Sequence, residues 1–386
     1  MKYDVAIVGG GPAGAWLSRD LARKGVSVVL LERSKVIGEP NFSSAGSLKE
    51  AVSRYDIPVE SVASEWDIGE TVFSTHPVTW RFSEPVGVVF DFRKLKTLLL
   101  QEAIAAGADV ILGQEAREIA FADDAGGATI RTKEGLEYEA KIVVDASGPE
   151  SIFASQLGLR REHAKPAVGL EIICEVPSFP EDQPRTFVFY TGVEWAPYGY
   201  AWIFAMGGNR FKVGLCTYEL ANHPEVDLAE QLDKFINKFD WLKDRRTIET
   251  HGGSAYAKGG IKDHSYRNLL AIGDAADQIN PLGGEGVRHA FQSAEFASTV
   301  IRKCLQGAGV SSLREYNQLW RKYIGSRWYL SKVFAYILFE KLKSRGLSWL
   351  SRNMNKLTPH EVIDLMFRYK FSILFKAALF RRSRPS

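Results

Sequence analysis

Val5-Ala6-Ile7-Val8 runs directly into Gly9-Gly10-Gly11-Pro12-Ala13-Gly14, and these residues decide the fold. Four apolar residues in a row, without polar alternation, describe a strand buried on both faces, as in a parallel sheet. A helix is predicted from about Ala13 to Arg23, ended by Gly25, and residues 26–31 read as a second strand that finishes at Glu32. In this unit Gly9 makes the tight turn, Gly11 lets the backbone approach a pyrophosphate, and Gly14 lets the helix pack close to the strand. The diphosphate would rest on the helix N-terminus at Ala13, where free amides and the helix dipole favour an anion. Glu32 stands where a carboxylate accepts hydrogen bonds from ribose hydroxyls, and its charge would repel a ribose 2′-phosphate. NADP is thereby disfavoured, leaving NAD or FAD.

Two later segments return to the same layer. Ile142-Val143-Val144-Asp145-Ala146-Ser147-Gly148-Pro149 reads as a buried strand and a phosphate-side loop. Asn268-Leu269-Leu270-Ala271-Ile272-Gly273-Asp274 reads as a third strand, followed by Pro281-Leu282-Gly283-Gly284-Glu285-Gly286 and a helix from about Val287 to Arg302. The amides of Gly286 and Val287, at that helix N-terminus, suit a site of developing negative charge. No second G-x-G-x-x-G follows a strand in mid-chain, so no separate NAD(P)H domain is expected. Between about 165 and 262, alternating runs such as Thr186-Phe187-Val188-Phe189-Tyr190 and Ala201-Trp202-Ile203-Phe204 suit an antiparallel sheet. Tyr190, Trp195, Tyr198, Tyr200, Trp202 and Phe204 are expected to form an aromatic chamber for an apolar chain.

The fold class is therefore α/β: a Rossmann-like dinucleotide-binding domain, which the resemblance given below makes an FAD-binding domain, an antiparallel-sheet substrate domain and a helical C-terminal region. The discontinuous first domain is expected over residues 1–70, 96–162 and 263–302, the second over 71–95 and 163–262, and the third over 303–386. The length of 386 residues accommodates them. Three dispersed cysteines, Cys174, Cys216 and Cys304, form no C-x-x-C pair and fit a reducing, cytoplasmic setting. The histidines have no ligand spacing, so no metal site is expected, and Ser43 and Ser44 have no context for a nucleophilic triad.

Charge is unevenly distributed. Residues 301–386 hold 18 basic and 4 acidic groups, a net of +14, while the first 300 hold 31 basic and 42 acidic, a net of −11; the two recover the overall +3. The same end carries Trp320, Trp328, Tyr329, Phe334, Tyr336, Phe339, Trp349 and Phe375. A basic, aromatic, helical end fits an anionic membrane surface better than specific nucleic-acid binding. The apolar stretch from Val333 to Phe339 is too short to cross a bilayer, which needs about 20 residues, so peripheral attachment is expected.

With Gly9 to Glu32, Gly273 to Gly286 and the run Tyr200-Ala201-Trp202-Ile203-Phe204, the sequence resembles the geranylgeranyl reductase family of FAD proteins, with a p-hydroxybenzoate hydroxylase-like fold. The resemblance covers most of residues 1–300. It implies that Asp274 binds the ribityl chain, that Arg93 contacts FAD, and that Ala116 lies beside the adenine. It places Ser43, where archaeal members have a cysteine, beside the flavin, with Ser44 and Gly46 in the same loop. Tyr200 and Trp202 then join Ser43 as the candidates for a catalytic role. The family's Tyr-x-Trp-x-Phe-Pro ends here in Ala205. His289 reads as a structural histidine, and Glu285 as an anchor or an acid/base group.

The implied activity is saturation of C=C bonds in a prenyl lipid or prenyl diphosphate, with hydride from flavin N5 and electrons from NAD(P)H or a ferredoxin. A flavin monooxygenase or halogenase, a redox-neutral isoprenoid cyclase, and a non-enzymatic flavin-bearing membrane-associated protein are the alternatives.

Overall fold

The computed structural model describes residues 2–123, 126–160, 165–179, 186–257, 259–342 and 344–379. Five parallel strands, in the order Leu269–Ala271, Glu137–Asp145, Lys2–Val8, Val28–Glu32 and Asp109–Leu112, form the layer that begins at the glycine loop. The strand Lys2–Val8 is buried on both sides, as its unbroken apolar run requires. Val5 and Ile7 face the helices Pro12–Arg23, Phe92–Ala105 and Val287–Lys303, whereas Tyr3, Ala6 and Val8 face a meander formed by Ala116–Phe121 and Ala128–Thr132. The helix expected from Ala13 begins at Pro12, where a proline sits well because the first-turn amide has no partner inside the helix.

The second layer is a seven-stranded sheet in the order Arg246–Ala255, Ala167–Glu175, Arg210–Thr217, Gly199–Ala205, Thr186–Thr191, Ile68–Phe73 and His76–Arg81. It is antiparallel except where Thr186–Thr191 runs parallel to Ile68–Phe73. Its outer face packs on the helix Leu228–Ile236, and its inner face is turned toward the glycine loop. Two expected boundaries shift. Residues 68–73 join this sheet as one strand that runs through the break placed at 70. Gly87–Phe90 instead pairs with Gly46–Leu48 and Val62–Trp66 in a small three-stranded sheet.

The C-terminal helices are built into the body of the protein. Tyr316, Trp320, Trp328, Leu347 and Met354 belong to the same buried apolar cluster as Val5 and Ile7. Trp320 and Trp328, expected at a membrane-facing surface, are thus core residues that pack edge to face at 5.4 Å. Phe334 stacks on Phe371 and Phe339 on Tyr218, so these two aromatics also face inward. Tyr329, Tyr336 and Trp349 remain exposed. The side chain of Phe375 lies outside the described residues. Among the described residues no helix is long and apolar enough to cross a membrane.

Candidate active site

A long cleft separates the glycine loop from the inner face of the seven-stranded sheet. It consists of two cavities, of about 220 and 660 Å³, which share Gly11, Phe42, Ala146, Gly148, Pro149 and His251. The glycines explain its floor. Gly9 has φ +105°, and a Cβ there would lie 2.3 Å from the Ala146 carbonyl oxygen; at Gly14 a Cβ would lie 2.0 Å from the Gly9 oxygen. At Gly11, by contrast, a Cβ would meet nothing within 4 Å. The protein leaves that space open, as a cradle for a diphosphate requires.

Glu32 lines the larger cavity, and its carboxylate is oriented by the amides of Gly10 at 2.7 Å and Ser34 at 2.8 Å. Asp274, Gly286, Val287 and Ala13 line the smaller one. Burial, then the neighbouring Asp277 charge, raises the Asp274 carboxyl to about 6, against the lowering influence of Arg160. Ser43 and Ser44 line the same cavity, and Gly46 and Phe204 line a small pocket next to it. The Ser43 hydroxyl accepts a hydrogen bond from the Ala45 amide at 3.2 Å. Lys212, fully buried, donates to the carbonyls of Ser43 at 2.8 Å, Ser44 at 3.0 Å and Phe90 at 3.2 Å. A buried ammonium is sustained here by carbonyl acceptors and by the nearby Glu171 charge, although burial still lowers its pKa.

Two expected flavin contacts fall elsewhere. Arg93 turns outward to ion pairs with Glu39 at 2.6 Å and Glu249 at 3.0 Å. Three residues along the same helix, Lys96 lines the larger cavity and donates to the Pro40 carbonyl at 2.6 Å. Burial lowers its pKa to about 8, partly offset by Glu32 and Glu39. On this helix the cation that reaches the cleft is therefore a lysine, beside Arg33 and Arg160 from other segments. Ala116 is buried between the meander and the parallel sheet and does not line the cleft.

The aromatic chamber is also redrawn. In the antiparallel register Phe187 lies opposite Phe204, Phe189 opposite Trp202 and Thr191 opposite Tyr200, and opposed residues share a face. Tyr190 consequently points to the outer face, against Phe235, Phe239 and Trp195. Tyr198, with φ +56°, stacks on His223 at 3.6 Å, away from the cleft. The inner face carries Tyr200, Trp202, Phe204, Phe187 and Phe189. Alternation along 186–190 already separates Phe187 and Phe189 from Tyr190, and that signal could have found them.

A second cavity, apolar and about 240 Å³, lies behind Tyr200. It is walled by Phe189 and Phe73 from the sheet and by Phe334, Leu338, Trp349, Met354 and Leu374 from the C-terminal helices. Tyr200 lines both this cavity and the cleft, and its hydroxyl donates to the Gly283 carbonyl at 3.0 Å. Gly284 is required beside it: φ is +61°, and a Cβ would lie 2.5 Å from the Tyr200 oxygen. Tyr218 holds the same loop through the Leu282 carbonyl. Burial pushes the Tyr200 phenol well above its usual range, and the Cys216 thiol beside it to about 12, so both stay protonated.

Glu285 and His289 are accounted for by packing. Burial alone would raise the Glu285 carboxyl, but the Arg288 charge and the His289 hydrogen bond outweigh it and hold it below the usual range. Arg288 forks onto Glu285 at 2.6 and 2.7 Å, and Tyr369 donates to it at 2.6 Å. His289 is buried, which lowers its pKa, and contacts the hydroxyls of Tyr323 and Tyr369.

Comparison with known proteins matches this geometry. The family model described as lycopene cyclase protein matches residues 4–364. A digeranylgeranylglycerophospholipid reductase from Methanothermobacter thermautotrophicus is 30% identical over 351 residues, 88% of each chain. The chain belongs to the lycopene cyclase family, in its geranylgeranyl reductase branch. Among solved structures, a geranylgeranyl bacteriochlorophyll reductase-like protein from Thermoplasma acidophilum superposes with a TM-score of 0.86 at 25% identity, over 97% of this chain and 95% of that one. A flavin-dependent halogenase superposes with a TM-score of 0.74 at 19% identity, over all of this chain and 74% of the other, and shares the fold alone. This geranylgeranyl reductase family member is a flavin-dependent oxidoreductase.

Proposed function

We propose that the protein binds FAD and saturates C=C bonds in the prenyl chains of a membrane phospholipid. The observation that carries this reading is the apolar cavity that meets the cleft at Tyr200. A prenyl chain needs a long apolar conduit, and the aromatic and aliphatic walls there provide one. FAD fits the cleft through residues on both sides. Gly9, Gly11 and Gly14 would open the diphosphate cradle, Glu32 would hold the ribose, Asp274 the ribityl chain, and the amides of Gly286 and Val287 the flavin ring. Lys96 takes the cationic position, and Ser43, Ser44 and Gly46 form the loop beside the ring. When bound, the flavin supplies hydride chemistry. The chain's own residues bind it, hold the alkene against it and exclude water.

Electrons would come from NAD(P)H or a ferredoxin. The exposed Tyr329, Tyr336 and Trp349, with Lys332, Lys341, Arg345 and Arg352 on the same helices, support attachment to an anionic membrane surface. Ile337 and Trp349 are exposed while lining the apolar cavity, so a lipid chain could enter without leaving an apolar environment.

The test is anaerobic. The flavoprotein is reduced with dithionite and mixed with a geranylgeranylated phospholipid, and flavin absorbance and lipid mass are followed. Reoxidation, with two hydrogens added to the lipid per flavin, is the expected result. A flavin that stays reduced until oxygen enters overturns the reading and moves the oxygen-dependent and non-enzymatic alternatives ahead; lipid isomerised without reoxidation favours a cyclase.

A further inference from the structure

Saturating an alkene requires a proton as well as a hydride; Ser43 is an alcohol, a far weaker acid than an imidazolium, and Glu285 is held as a carboxylate by Arg288. A polar row on the inner face of the seven-stranded sheet offers another source. Trp202 lies opposite Gly214, Gly214 opposite Glu171, and Glu171 opposite His251, so four neighbouring strands contribute one row. Gly214 makes the row possible, since a Cβ there would lie 2.5 Å from the Trp202 ring and 2.8 Å from the Leu170 carbonyl oxygen. With no side chain in the way, the Trp202 indole crosses the strand and its Nε1–H donates to Glu171 Oε2 at 2.6 Å. His251 Nε2 lies 2.9 Å from Glu171 Oε1.

This arrangement fixes the histidine's tautomer. Both Glu171 oxygens are engaged, and a carboxylate only accepts, so Nε2 carries a hydrogen and donates it. The other ring nitrogen, Nδ1, is buried and has no hydrogen-bond partner among the described residues. The His251 side chain is 9% exposed, and its ring lines both cavities of the cleft. A buried polar atom left unpaired is costly, so a ring held this firmly with one nitrogen unpaired suits a partner that enters the cleft.

We propose that His251 is the catalytic acid of the reduction, with Glu171 and Trp202 as its positioning residues. The proposal rests on the reductase reading. The alkene accepts a hydride from reduced flavin at one carbon as its π bond breaks. The other carbon takes the Nδ1 proton of the His251 imidazolium. Two C–H bonds form, the flavin is oxidised, and His251 becomes neutral and regains a proton from water in the cleft. Glu171 holds the ring by Nε2 and leaves Nδ1 available to the substrate. Of the other charged groups lining these cavities, Glu32 accepts from the Gly10 and Ser34 amides, Arg33 pairs with Glu150, and Asp274 is buried with its pKa raised to about 6; the remaining ones near the ring have their own partners. Lys212 is bonded to three carbonyls, Glu249 on His251's own strand to Arg93 and Asn41, and Arg160 across the larger cavity to Asp277. Lys96, at the same cavity, is bonded to the Pro40 carbonyl, and Glu39 to Arg93.

The experiment compares wild type, His251→Asn and Glu171→Gln, each loaded with flavin. In single-turnover reoxidation of the dithionite-reduced protein by geranylgeranylated phospholipid, His251→Asn is expected to be at least about a hundredfold slower, the usual share of a general acid, with flavin affinity and absorbance unchanged. Glu171→Gln is expected to move the alkaline limb of the pH–rate profile, where a catalytic acid loses its proton, and to serve as the test if His251→Asn folds poorly. A second readout needs no substrate: with ¹⁵N-labelled histidine, His251 Nε2 stays protonated and Nδ1 titrates in wild type, and the preference is lost in Glu171→Gln. Reoxidation of His251→Asn at the wild-type rate, or titration at Nε2, overturns the proposal alone. Wild-type protein that no prenyl lipid reoxidises overturns the reductase reading and the proposal together.

Discussion

The two faces of the seven-stranded sheet are made by the same strands, yet they are different materials. The outer face is dry and aromatic: Tyr190, Ile203, Val213 and Leu215 pack against Leu232, Phe235 and Ile236 of one helix. The inner face buries Glu171, Lys212 and the Trp202 indole among Phe187 and Phe204. Burying charge costs stability unless each group finds a partner, and here each does. The difference shows how a period of two lets one sequence segment serve stability on one side and chemistry on the other.

The contrast can be broken most severely from the outer side. Phe235→Ala empties a fully buried site between Tyr190 and Phe239 and is expected to cost about 3–5 kcal/mol. Thermal or denaturant unfolding would register the loss, while flavin affinity per folded molecule stays the same; a large affinity change would mean that the faces are coupled. Gly214→Ala attacks the inner row instead. Its Cβ would press on Trp202 and on backbone, so a cost of about 1–3 kcal/mol is expected, with altered indole fluorescence and slowed reoxidation. Unchanged fluorescence would deny Gly214 its place in the row.

A smaller effect is expected beneath that face, on the floor of the cleft. Lys96, with its pKa lowered to about 8, is charged below that pH and neutral above it. Flavin affinity in wild type should therefore be higher below pH 8 and fall as the pH rises through it. In Lys96→Met affinity should be about tenfold weaker at neutral pH, roughly 1.4 kcal/mol, and should lack this step. Equilibrium titration followed by flavin fluorescence reads both. The smallest change is Tyr200→Phe, which removes one hydrogen bond to the Gly283 carbonyl and is expected to cost about 0.5–1.5 kcal/mol. Its signature would be a changed preference for prenyl chain length, read from competing lipids, because Tyr200 stands where cleft and apolar cavity meet.

Much of the parallel layer was legible because its signals are local. A glycine whose φ is positive, a helix that starts at proline and a carboxylate at a strand end are decided within a few residues of chain. Glu32, Asp274, Gly286 and Val287 all line the cleft. The start of the helix Phe92–Ala105 carries Arg93, Lys94 and Lys96, and of these Lys96 lines the cleft, because only the direction of each side chain separates outside from inside. Trp320 and Trp328 were read as surface groups because composition cannot distinguish an aromatic helix that packs inward from one that meets a membrane.

By itself, then, the sequence determined the strand–glycine–helix–strand unit, the carboxylate at its end, the second flavin segment and the presence of an alternating sheet. What only the tertiary structure decided was which residues from distant strands share a row. Glu171 and His251 are 80 positions apart, and neither carries a motif. They meet because strand pairing sets them directly opposite each other, and pairing register depends on the whole sheet rather than on any short stretch of it.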